Sequence, residues 1–157
     1  MDYGPRKLLV VEDDELVRET IVTLLKDENI DFVEAASGNQ ALKMLEQHQI
    51  TAILSDINMP DGDGIMLLDE LRKKGILCPF IFLTANESNK AMLAAIKNSV
   101  FEFIPKPFNV DFLIKVVFSA LELGTKIQKA SDLENGDKDQ LKLLRQMQGY
   151  KSLNSKK

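Results

Sequence analysis

Between Lys7 and about Gln128 the chain alternates two kinds of segment. Short runs of strand length, LLVV at 8–11, FVEA at 32–35, AILS at 52–55, FIFL at 80–83 and FEFIP at 101–105, are separated by stretches whose apolar residues recur at helical spacing. Several of these runs are apolar at every position rather than at every second one, so they need cover on both faces. Strands alternating with helices of this length imply an α/β fold, a parallel sheet with helices packed on both sides.

The helical segments can be placed individually. The first is expected from Asp14, its N-cap, with Leu16, Val17, Thr20, Ile21, Leu24 and Leu25 inward. The second opens at Ser37-Gly38 and turns Ala41, Leu42 and Leu45 inward. The third spans about 64–74 with Ile65, Leu67, Leu68 and Leu71 inward, and Gly75 stops it. A fourth is expected over 87–97, with Ala91, Met92, Ala95 and Ile96 inward, and a last one from Asn109.

In open parallel sheets ligands bind outside the carboxyl ends of the strands. Four of the five runs end there on residues that can handle a phosphoryl group: Glu12-Asp13-Asp14, Asp56, Thr84 and Lys106. A magnesium ion takes oxygen ligands and is often held by one or two carboxylates together with phosphate oxygens. Asp13 and Asp56 are the direct candidates, and Glu12 can act through a water. The Asp56 carboxylate can also attack a phosphoryl donor and form an aspartyl phosphate. Lys106 supplies a cation on the other side of the group, and the Thr84 hydroxyl can donate to a phosphoryl oxygen. Taken singly, each residue has an ordinary structural role; Asp14 and Asp61 read as a helix cap and a turn former.

The order LLVVEDDE, LSDINMPDGDG, IFLTAN and FIPKPF resembles the receiver domain of two-component response regulators, over residues 7–128. The resemblance implies a flavodoxin-like, doubly wound (βα)5 fold with a parallel sheet of order 2-1-3-4-5. It implies that Asp56 is the phosphoacceptor, served by a histidine kinase or a histidine phosphotransfer protein. It makes Asp13, Asp56 and the backbone carbonyl of Asn58 ligands of Mg2+ (or Mn2+), with Glu12 completing the acidic pocket. Thr84 and Lys106 would bind the phosphoryl group, and Lys106-Pro107 would be a cis peptide. Phe103 falls at the aromatic switch position, and Asn58 and Asn86 at positions that tune dephosphorylation. The family's phosphoacceptor assists its own phosphorylation and dephosphorylation without being an enzyme in the usual sense, and its fourth helix, fifth strand and fifth helix form the surface read by a downstream protein. The chain departs from the family at Ser99-Val100, where Gly-Ala is usual.

Charge and composition narrow the remaining choices. Residues 1–124 carry a net charge of −8 and residues 125–157 one of +4. The acidic part suits a cation pocket and argues against a DNA surface. With no apolar stretch of membrane-span length and no signal-peptide pattern, neither a membrane partner nor export is expected, and a cytoplasmic location is. Cys78 is the one cysteine, so no internal disulfide is expected, and His48, the one histidine, reads as surface.

The expected organisation is an arm at 1–6, the receiver domain at 7–128 and an extension at 129–157. The extension holds a short amphipathic helix at about 138–148, marked by Leu141, Leu144 and Met147. The last helix of the receiver domain is unusually apolar, from Val110 to Leu123, with a narrow polar stripe of Asp111, Lys115, Ser119 and Glu122. That pattern fits either deep packing or an interface, including a homodimer through this helix and the extension. Two other readings of the whole chain stand beside the phosphoacceptor. One is a receiver-like interaction module that works without phosphorylation. The other is a phosphatase of the haloacid dehalogenase type, which would need a second acid where this chain has Asn58.

Overall fold

The computed structural model describes residues 6–85, 96 and 99–131. Nine elements follow one another among them: β1 (Leu8–Val11), α1 (Glu15–Asp27), β2 (Phe32–Ala35), α2 (Gly38–Gln47), β3 (Ala52–Asp56), α3 (Gly64–Lys73), β4 (Phe80–Thr84), β5 (Glu102–Pro105) and α4 (Val110–Ser131). The five strands form one parallel sheet in the order β2-β1-β3-β4-β5. This is the flavodoxin-like arrangement expected from the sequence. Of the helix expected over 87–97 only residue 96 is described, and the one at about 138–148 lies outside the described residues.

The continuous apolar runs are explained by two cores, one on each face of the sheet. Leu8 and Val10, Ala52 and Leu54, and Ile81 and Leu83 point to the side covered by α1 and α4. Leu9 and Val11, Ile53, and Phe80 and Phe82 point to the side covered by α2 and α3. Successive side chains of a strand face opposite ways, so a strand with both faces covered is apolar at successive positions and not only at every second one. Pro105 sits on the edge strand β5, where its missing N–H leaves no gap in the ladder.

Two inward assignments in α1 are corrected. Leu16 is 75% exposed and Thr20 is exposed, whereas Val22 is buried with Ile21 and Leu25. The buried stripe of α1 runs through 21, 22 and 25, and Leu16 lies in the first turn on the opposite side of the cylinder. The caps are as expected: Asp14 accepts from Leu16 N–H at 2.9 Å and Val17 N–H at 3.2 Å. Gly75, at φ +76°, ends α3 in the left-handed region.

The apolar last helix is deeply packed. Leu113, Val116, Val117, Ala120 and Leu121 are buried against the sheet, and Asp111, Lys115, Ser119, Glu122 and Lys126 form the exposed stripe. Phe112 and Phe118 border that stripe at 39% and 41% exposure, and Val110 is 45% exposed. α4 runs without a break past residue 128, and Gln128 Nε2 donates to the Ile50 carbonyl at 3.3 Å.

Candidate functional site

Because all five strands are parallel, their carboxyl ends share one rim. Glu12 and Asp13 follow β1, Asp56 ends β3, Thr84 ends β4 and Lys106 follows β5. β1 and β3 are direct neighbours in the sheet, which brings the two acidic ends together. Glu12, Asp13 and Asp56 each offer a carboxylate oxygen within 4.8 Å of the others. Glu12 is 1% and Asp56 8% exposed, and Asp13 lies open to solvent.

Lys106 is the counter-charge. Its Nζ donates to Glu12 Oε2 at 3.0 Å and to Asp56 Oδ2 at 3.1 Å, bridging the two buried carboxylates. The other oxygen of Asp56, Oδ1, accepts from the Ile57 backbone N–H at 2.8 Å, which fixes the side chain's rotation. Burial, and then the neighbouring Asp56, hold the Glu12 carboxyl above the ordinary carboxylate range despite Lys106. Burial opposes the charged form of Lys106, but Glu12 and Asp56 together outweigh it and hold its pKa above the usual lysine value. Three hard oxygen donors at this spacing, two of them already sharing a cation, suit a small divalent ion such as Mg2+ or Mn2+.

The remaining predicted residues surround this cluster. Thr84 is half-buried at the end of β4, and its carbonyl accepts from the Lys106 backbone N–H at 2.7 Å. Lys106-Pro107 is cis. Asn58 is exposed, two residues beyond Asp56, at the start of the turn that leads into α3. Phe103 does not line the acidic cluster; it is half-buried on β5 and stacked on Phe82, with ring centroids 6.0 Å apart and planes 19° apart. Asn86 lies outside the described residues. His48 is half-buried and ends α2, at the opposite end of the sheet from the rim.

Three polar residues with long-range hydrogen bonds were not singled out in the sequence. Arg18, on α1, donates from Nη1 to the Glu12 carbonyl at 2.7 Å and pairs with Glu34 at 3.3 Å, fixing the β1–α1 loop. Asn39, at the start of α2, bonds to Asp61. Arg72, on α3, donates to the carbonyls of Ile76, Cys78 and Ser99, at 2.7, 3.1 and 2.8 Å. Arg18 could have been noticed as a cation between apolar Val17 and Ile21 on the inner side of α1; nothing local marks Asn39.

The model of the response regulator receiver domain matches residues 8–118. The transcriptional regulatory protein GlrR of Escherichia coli K12 is 34% identical over 122 residues, 78% of this chain and 28% of its own length. The DNA-binding transcriptional regulator NtrC of Salmonella typhimurium LT2 is 29% identical over 125 residues, 80% of this chain and 27% of its own. The chain thus spans under a third of the length of these curated relatives. Among solved structures, the receiver domain of the Francisella response regulator 1452 is 34% identical with a TM-score of 0.69, over 76% of this chain and 98% of that one. The Thermotoga maritima response regulator TrrA, solved with Mg2+ and BeF, is 30% identical with a TM-score of 0.66, over 73% of this chain and 98% of that one. No helix among the described residues is long and apolar enough to cross a membrane.

Proposed function

Since the chain belongs to the family of response regulator receiver domains of two-component signalling, we propose that it is phosphorylated on Asp56 and signals through the change this makes at β5 and α4. The observation that carries the reading is the Lys106 bridge between Glu12 and Asp56 within a three-carboxylate rim.

In the proposed transfer an Asp56 carboxylate oxygen attacks the phosphorus of a phosphohistidine. The new O–P bond forms as the P–N bond to the imidazole breaks, and the imidazole leaves with the bonding electrons and takes up a proton. The donor is a separate protein, a histidine kinase or a histidine phosphotransfer protein, because the chain's own His48 caps α2 at the far end of the sheet. Asp13, Asp56 and the carbonyl of Asn58 would hold a Mg2+ ion, with Glu12 acting through a water. The bound ion would neutralise charge on the transferring oxygens.

The chain's own residues do the rest. Ile57 N–H keeps the Asp56 carboxylate in one orientation. Lys106 exchanges its hold on Asp56 for the incoming phosphoryl oxygens, to which it is already adjacent. Thr84 donates its hydroxyl to the same group from the end of the neighbouring strand. Drawing Thr84 inward alters the packing beside Phe103, which leans on Phe82 from the edge strand. This biases a two-state surface made by β5 and α4, where Val110, Phe112 and Phe118 are exposed for a downstream protein or a second copy of the chain.

The reading is tested by incubating the protein with Mg2+ and a small acyl- or amido-phosphate and measuring intact mass. One phosphoryl mass is expected on the wild type and none on Asp56→Asn; an unmodified wild type refutes the assignment. Phe103→Ala should still be phosphorylated while failing to bind the downstream partner, and loss of phosphorylation in that variant would remove Phe103 from the switch.

A further inference from the structure

The turn between β3 and α3 is fastened to a helix that contributes nothing to the rim. Asn39 Nδ2 donates to Asp61 Oδ1 at 2.9 Å, Asn39 N–H donates to the Asp61 carbonyl at 3.4 Å, and Gly38 N–H donates to the Gly62 carbonyl at 2.8 Å. The first N–H groups of a helix have no acceptor within it. At α2 two of them find theirs in this turn.

The turn needs outside support. Asp61 at φ +54° and Gly62 at φ +92° are consecutive left-handed residues. Aspartate is tolerated in that region chiefly where its side chain is hydrogen-bonded. The contact is also close. A Cβ on Gly38 would stand 2.5 Å from the Gly62 carbonyl oxygen, and one on Gly62 would stand 3.0 Å from Asn39 N. The two ends of the same loop are closed by Gly64 N–H donating to the Ile57 carbonyl at 2.8 Å, and a Cβ on Gly64 would stand 2.3 Å from the Asp56 carbonyl oxygen. The loop 57–63, which carries Asn58, is therefore pinned at its base under Asp56 and at its tip on α2.

We propose that Asn39 is a positioning residue for the divalent-cation site: by holding Asp61 in its left-handed turn it sets where loop 57–63 presents the Asn58 carbonyl. The proposal rests on the metal reading above and extends it to a helix with no residue in the acidic cluster. An exposed hydrogen bond with no bearing on the site would leave cation affinity untouched when removed. A positioning bond would not.

The test is a Mg2+ titration of the full chain, followed through backbone amide shifts, for the wild type, Asn39→Ala, Gly38→Ala and the double variant Asn39→Asp/Asp61→Asn. The double variant reverses donor and acceptor, leaves net charge unchanged and places asparagine, which tolerates the left-handed region, at 61. Asn39→Ala should weaken Mg2+ binding about three- to tenfold, less than the loss of a group bonded directly to a ligand. In the metal-free protein it should also speed hydrogen exchange at the amides of 58, 59, 61 and 62. Gly38→Ala should weaken binding in the same way by pushing on Gly62, and the double variant should restore affinity to within about twofold of the wild type. Unchanged affinity in Asn39→Ala, or no recovery in the double variant, overturns the proposal. A wild type that binds no Mg2+ overturns the metal reading itself, a result distinct from either.

Discussion

Glu12 is 1% exposed and shares a lysine with Asp56, yet its carboxyl sits above the usual range because burial and the second carboxylate outweigh that lysine. A carboxyl whose folded pKa is raised binds its proton more tightly in the folded state. The metal-free protein therefore loses stability at this site as pH rises from the unfolded value of 4.5 through the folded one. The unfolding free energy of the wild type minus that of Glu12→Gln should fall as pH rises above the unfolded value of 4.5, and saturating Mg2+ should cancel the fall. A difference that is flat with pH would mean that burial and Asp56 do not oppose ionisation of Glu12 in the metal-free protein. Lys106 has the opposite profile. Its raised pKa gives stabilisation that is complete below the unfolded lysine value of 10.5 and is lost as pH climbs through the folded one. Leu16 shows that an apolar residue at helical spacing need not be core: Leu16→Ser should change stability by less than about 0.5 kcal/mol in a denaturant titration.

At the scale of elements, the helices are held to the sheet by close approaches and by single long cations. α4 crosses the start of β3 so closely that a Cβ on Gly124 would stand 2.1 Å from the Thr51 carbonyl oxygen. Gly124→Val should cost about 1–3 kcal/mol in chemical denaturation, since helix or strand must move aside. Arg72 ties α3 to the turn before β4 and to the segment before β5 through three backbone carbonyls, and its burial lowers the guanidinium pKa. Its Nε is buried with no partner among the described residues. The departure from the family at Ser99-Val100 is accommodated here: the Ser99 carbonyl accepts from Arg72, and Val100 is fully buried in the core shared with Phe80 and Phe82. Arg72→Met should destabilise by roughly 2–4 kcal/mol, because three carbonyls lose their donor at once.

For the molecule as a whole, an acidic rim bridged by one lysine predicts that a divalent cation stabilises the fold. A hundredfold excess of Mg2+ over its dissociation constant should add about 2.7 kcal/mol, visible as a rise in melting temperature that Asp13→Asn abolishes. No rise in the wild type would argue against a cation site at these residues. The strands and the parallel α/β class were legible because the cause is local, whereas the sheet order 2-1-3-4-5 followed from the resemblance to receiver domains. Five strand-length runs alternating with helical segments admit few folds, and the residue after each strand is placed at the rim by the chain itself. The acidic pair, Asp56, Thr84 and Lys106 were readable for that reason, and so were the helix starts at Asp14 and Ser37. The ties between separate elements were not. Lys106 and Glu12 are 94 residues apart, Arg72 and Ser99 are 27 apart, and Asn39 and Asp61 are 22 apart. Arg72, Asn39 and Asp61 sit in stretches that look like ordinary surface, and for all three pairs only packing the helices onto a parallel sheet decides which residues meet. By itself the sequence determined the fold class and the residues on the rim. The tertiary structure decided that Lys106 bridges Glu12 and Asp56, that Leu16 faces solvent, and that the turn beside Asp56 leans on α2, because those facts depend on distances between segments that no local pattern encodes.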